Sequence, residues 1–232
     1  MPHKEEPYTE FTPELYPPFP SDVPTVSLET ITLSKLFNGD AVEQDRVFEA
    51  CVGRGFFYLD LDGCATGNTI RRGAEQIALA GERVFRLPLA EKMDYKMAKS
   101  LFGYKYAGST VTDKAGTRDT AEFFNVGKND MIVPNDQRAF CRDDDYEYLA
   151  ERLGIDPSEL TNRHRIEEPS GDHVRITRGP PRETDEMPEI QTPSHTDFGT
   201  ITILMNWLGG LQVWSESARK AQLSNGQPDV PG

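Results

Sequence analysis

His195-Thr196-Asp197 sets an imidazole and a carboxylate two residues apart. In an extended chain side chains alternate between faces, so these two project from one edge. The stretch that follows, Thr200-Ile201-Thr202-Ile203-Leu204-Met205, is β-branched and apolar and predicts a strand. An imidazole and a carboxylate on one edge are two of the three ligands of the facial triad that holds non-haem Fe(II). The third would be another His from a later strand, yet the chain reaches Gly232 with no His after His195. On this reading the sequence stops short of a complete iron site.

Three other histidines are present, and none has the same spacing logic. His164 sits in Asn162-Arg163-His164-Arg165 and His173 in Gly171-Asp172-His173-Val174; both read first as surface or strand-edge residues. His3 lies in a proline-rich arm. The three cysteines, Cys51, Cys64 and Cys141, match no zinc spacing and are too scattered for a disulfide framework, so they read as reduced thiols.

With 232 residues the chain is long enough to bury a sizeable core. A net charge of −13, without a basic run interleaved by aromatics, argues against a nucleic-acid partner. The first residues, Met1-Pro2-His3-Lys4-Glu5-Glu6-Pro7, lack the apolar stretch of a signal peptide. No run of about 18 apolar residues predicts a membrane span. A cytoplasmic location is the expectation.

The elements that must position His195 and Asp197 follow from pattern. Six prolines in residues 1–22 make an extended or disordered arm. Residues 24–33 predict a strand. Residues 41–52 carry Val47, Phe48, Cys51 and Val52 at helical spacing, closed by Gly53 and Gly55. Phe56-Phe57-Tyr58-Leu59 predicts a short buried strand. From Thr69 to Phe85, Ile70, Ala74, Ile77, Gly81, Val84 and Phe85 mark one face of a long helix that Pro88 stops. Ala121 to Val126 and Val174 to Thr177 predict strands, with an acidic helix over 143–153 between them. Asp156-Pro157-Ser158-Glu159 opens a further turn. Gly179 to Glu186 is a polar loop. The block from Ile201 to Trp214 breaks at Gly209-Gly210, a turn between two strands. Helices first and strands later give an α+β expectation: an N-terminal helical region over 23–130 and a jelly-roll core over 131–232, incomplete at the C-terminus.

Two blocks carry a resemblance. Ser194-His195-Thr196-Asp197-Phe198-Gly199-Thr200-Ile201-Thr202-Ile203-Leu204 with Gly209-Gly210-Leu211-Gln212-Val213 resembles the iron(II)/2-oxoglutarate-dependent dioxygenases of the isopenicillin N synthase type. Gly55-Phe56-Phe57-Tyr58-Leu59, followed by Phe85-Arg86-Leu87-Pro88-Leu89-Ala90-Glu91-Lys92, looks like the N-terminal region of the same family. Gly103-Tyr104 and Glu122-Phe123-Phe124 fall between them in the expected order.

The resemblance implies a distorted jelly roll, the double-stranded β-helix, with His195, Asp197 and a distal His as ligands to Fe(II). It implies 2-oxoglutarate as cosubstrate, held at its far carboxylate by an Arg downstream of the distal His, and it allows ascorbate as an accessory reductant. 2-Oxoglutarate is decarboxylated as oxygen is activated, and a small organic substrate, as in specialised metabolism, is hydroxylated, desaturated or cyclised. Tyr104, Tyr106 and Phe124 fall in a region that covers the barrel mouth in relatives, and with Phe198 they are the candidates for substrate contact. Phe198, Trp207 and Trp214 otherwise read as core. Arg175 and Arg178 are candidates to attract an acidic cosubstrate, with a structural ion pair as the plainer role for Arg175. No catalytic residue beyond the two ligands, and no 2-oxoglutarate-binding residue, is assigned.

The sequence departs from the family pattern in three places. The distal His and its following Arg are absent. Thr177 and Gly179 stand where an Asn and a Tyr are usual. The helix before Leu149-Ala150-Glu151-Arg152-Leu153-Gly154 is shortened to Cys141-Arg142-Asp143-Asp144-Asp145-Tyr146. The alternative function is therefore a non-catalytic remnant or binding protein. Oligomeric state is not legible.

Overall fold

Asp40 opens the first long helix: its side chain accepts the N–H of Val42 and of Glu43, both at 3.0 Å, satisfying donors the helix itself cannot. The computed structural model describes residues 18–23, 25–112, 114–131, 143–179 and 195–213, without the side chains of 143–146. In chain order the elements are β1 (Thr30–Thr32), α1 (Leu33–Phe37), α2 (Ala41–Gly53), β2 (Tyr58–Asp60), α3 (Ala65–Arg86) and α4 (Leu89–Met93). They continue with β3 (Gly103–Lys105), β4 (Glu122–Gly127), α5 (Lys128–Met131), α6 (Asp143–Leu153), α7 (Ser158–Thr161) and β5 (His173–Arg178). The described residues are thus mixed helix and sheet, and no helix among them is long and apolar enough to cross a membrane.

Two compact units divide the chain, one of residues 22–80 with 126–174, the other of residues 1–21, 81–125 and 175–232. In the first unit β1 and β2 pair in parallel with Ile31 opposite Leu59. Glu43, buried on α2, ties the helix to that pair. It accepts the Thr32 N–H at 2.5 Å and Arg46 Nη1 at 2.9 Å. Arg46 in turn reaches Glu29 and the Thr30 carbonyl, both at 2.9 Å. Ile31, Leu33, Ala50 and Ala150 are buried in this unit.

The second unit is built on a sheet of order β3-β4-β5. β3 and β4 are antiparallel, with Tyr104 opposite Phe124 and Lys105 opposite Phe123. Gly103 enters β3 at φ 108°, a conformation suited to glycine, and an added Cβ would lie 2.4 Å from the Tyr95 carbonyl oxygen. On α3, Gly81 lets the Ile176 side chain of β5 come close: a Cβ there would sit 2.5 Å from Ile176 Cγ2.

Several expectations shift. The first strand is only Thr30–Thr32, and Leu33 already begins a helix. The second strand starts at Tyr58 and leaves that ring exposed, because a two-stranded pair covers little of its own surface. The expected strand over 200–205 and the two strands around Gly209-Gly210 are absent from the described residues, which have no regular structure from 201 to 213. A β-branched run gains ladder hydrogen bonds only beside another strand. None lies beside this one among the described residues, and Ile201, Ile203 and Leu204 are exposed. The arm before Pro18, Cys141, the loop from Pro180 to Ser194 and Trp214 lie outside the described residues.

Candidate metal centre

His195 and Asp197 come together as their spacing requires. Nε2 of His195 lies 3.4 Å from Oδ1 of Asp197, and both side chains are about half exposed. Metal bonds of about 2.1 Å meeting at a right angle put neighbouring donor atoms about 3 Å apart. One neutral imidazole nitrogen and one carboxylate oxygen at this separation therefore suit two adjacent positions on one divalent ion. Among the described residues no group of three His, Cys, Asp or Glu side chains converges as a metal site. His164 and His173 belong to the first unit, and His173 Nδ1 lies 2.8 Å from the Gly171 carbonyl.

The sheet of the second unit presents two faces, set by the period of two along each strand. On one face Glu122 is a buried hub. Its carboxylate accepts Lys92 Nζ at 2.8 Å, the Tyr104 hydroxyl and the Arg178 guanidinium. Lys92 also donates to the Phe85 carbonyl at 3.3 Å, and Arg178 lies over the Phe85 ring at 5.4 Å. Burial pushes the Glu122 carboxyl up, but Lys92, Tyr104 and Arg178 together outweigh it and hold the group below the ordinary range. The same burial, with the Glu122 carboxylate beside it, drives the Tyr104 hydroxyl well above its usual value. Helices α3 and α4 are thereby fixed to β3, β4 and β5.

The opposite face carries Lys105, Phe123, Asn125 and Arg175. Asn125 is buried; its Nδ2 donates to the Leu101 carbonyl at 2.6 Å, so its Oδ1 is turned to accept Arg175 Nε at 2.9 Å. The Arg175 guanidinium lies 4.3 Å from the Phe123 ring centre. The residue is exposed overall, but partial desolvation of the guanidinium lowers its basicity, and the Asp197 carboxylate opposes that by favouring the cation. Lys105 is committed to Asp119 and, at 2.8 Å, to the Ala121 carbonyl.

The aromatic candidates separate along the same line. Tyr104 and Phe124 pack together, ring centres 5.4 Å apart, on the helix-covered face, and Tyr104 is only 1% exposed. Tyr106 is half-buried with Lys96 Nζ over its ring at 5.2 Å, and Phe198 is fully exposed. Of the two residues that hold Arg175, Asn125 had no mark in the sequence beyond its place in a predicted strand, and Phe123 only its place there and in the Glu122-Phe123-Phe124 block. The available signal was the alternation itself: a residue one step from a core aromatic faces the other way.

Comparison with known proteins supplies the wider frame. Residues 23–145 match the family described as "non-haem dioxygenase in morphine synthesis N-terminal", just over half of the chain. A 2-oxoglutarate-dependent dioxygenase of Aspergillus fumigatus is 30% identical, the match covering 88% of this chain and 60% of that protein. One from Gibberella zeae is 26% identical over 84% of this chain and 63% of its own length. One from Glarea lozoyensis is 25% identical over 81% and 62%. The chain thus spans about three-fifths of the length of these curated relatives.

Proposed function

Because the chain belongs to the non-haem, 2-oxoglutarate-dependent dioxygenase family, we propose that it oxidises a small organic molecule with Fe(II) and 2-oxoglutarate. The observation that carries the reading is the 3.4 Å approach of His195 Nε2 to Asp197 Oδ1. These are the two positions at which the family resemblance expects strand ligands. In this reading the jelly roll is the fold around the site, and the third iron ligand comes from outside the described residues. The names of the fungal relatives support the oxygenase class; hydroxylation, desaturation and cyclisation of a specialised metabolite are the outcomes within it.

The residues present have separable tasks. His195 must be neutral to ligate, so protonation in acid competes with the metal. Asp197 brings a negative charge that offsets the ion's own and keeps the two donors on one side. When bound, Fe(II) supplies the coupling of 2-oxoglutarate decarboxylation to oxygen activation. The Glu122 hub holds β4 and β5 in register and so fixes the sheet face from which Arg175 projects.

The test is release of succinate from 2-oxoglutarate by the protein supplied with Fe(II) and oxygen. Turnover that depends on iron and is lost in His195→Ala supports the reading. Undiminished turnover in that variant contradicts it.

A further inference from the structure

On the sheet face opposite the helices, one cation is held in place with part of its donor set unassigned. Arginine carries five N–H donors in a rigid fork. In Arg175 the Nε–H goes to Asn125 Oδ1 at 2.9 Å, and Asn125 is itself locked by its bond to the Leu101 carbonyl. The guanidinium carbon lies over the Phe123 ring, 4.3 Å from its centre. The Nε bond uses one donor, and among the described residues no hydrogen bond is made by the two terminal nitrogens. Among the described residues no carboxylate forms an ion pair with them. The other cation against Phe123, Lys105, is already paired with Asp119.

We propose that the outer edge of Arg175, held by Asn125 and the Phe123 ring, is a carboxylate-binding subsite. A planar carboxylate accepts two parallel N–H donors from a guanidinium, and a fork already held by the Phe123 ring and by Asn125 loses little freedom in binding it. The ligand class is a small organic acid. Its carboxylate is either that of the oxidised substrate or that of the 2-oxoacid cosubstrate. The proposal rests on the iron reading for the identity of its ligand, but the carboxylate contact itself needs no metal.

The test therefore uses metal-free protein in chelator and two probes, glutarate and its uncharged diamide, followed by calorimetric titration. Glutarate is expected to bind and the diamide not. Arg175→Gln is expected to weaken glutarate at least about tenfold, the loss of a charge-assisted bidentate pair. Arg175→Lys, which keeps the charge and loses the fork, is expected to weaken it severalfold. Asp197→Asn removes the competing carboxylate and is expected to tighten it, a gain that misfolding cannot mimic. Displacement of glutarate by 2-oxoglutarate assigns the subsite to the cosubstrate, and simultaneous binding assigns it to the substrate. Absence of glutarate binding, equal binding of the diamide, or unchanged affinity in the Arg175 variants overturns the proposal. Failure of Fe(II) to bind, with glutarate binding intact, would instead count against the iron reading alone.

Discussion

Lys92 Nζ donates to Glu122 Oε2 at 2.8 Å, and both side chains are less than a tenth exposed. A buried pair of this kind holds structure chiefly through the penalty for breaking it: removal of one partner strands the other charge away from water. Here the stranded charges would be Lys92 and, on the exposed side, Arg178.

Glu122→Gln is accordingly expected to destabilise the protein by about 3–5 kcal/mol. Urea unfolding of the two proteins side by side measures this. A loss below about 1 kcal/mol, the size of an exposed pair, would show that the hub is solvated.

The same carboxylate gives a pH dependence whose sign follows from its depressed proton affinity. Burial raises the Glu122 value, its three donors lower it by more, and the net is a folded value below the ordinary 4.5. The folded state therefore binds this proton less readily than the unfolded chain. The contribution is complete above the unfolded value and is lost as pH falls through the folded one. Unfolding midpoints should drop as pH falls through and below the ordinary carboxylate value of 4.5, and drop less in Glu122→Gln. Glu43, lowered by the Thr32 N–H and by Arg46 and Lys35 against the opposing effect of burial, adds a fall of the same sign that persists in the variant.

Gly81→Ala tests the seat of β5 on α3. Alanine gains roughly 1 kcal/mol of helix propensity over glycine in a helix interior. Its Cβ would meet Ile176 Cγ2 at 2.5 Å, a branched carbon that cannot swing aside without moving the strand. Overpacking costs of about 1–3 kcal/mol then leave the variant less stable than the parent. Thermal unfolding checks this; a higher melting temperature in the variant would mean that α3 and β5 separate freely.

Helices were legible wherever a cap and a period coincided. The 41–52 pattern marked α2, and Pro88 marked the break before α4. Strands were less so, because a strand is defined by its neighbour. Thr200 to Met205 has the composition of a strand and no neighbouring strand among the described residues, whereas Glu122 to Gly127 has a charge and an amide in it and forms the middle of a sheet. Of the candidate site, the His195–Asp197 approach follows from local spacing alone. The Glu122 hub and the Asn125–Arg175–Phe123 support join residues up to 86 positions apart and depend on which face of β4 each side chain takes. Alternation sorts the side chains of β4 between its faces, but no local pattern says which distant residues meet them there.

The most direct test of the central claim is anaerobic titration of the protein with Fe(II), alongside His195→Ala and Asp197→Ala. If these two side chains hold the ion, the parent binds one equivalent and each variant binds it at least about tenfold more weakly, since each removes a direct ligand. Equal Fe(II) affinity in parent and variants would contradict the account.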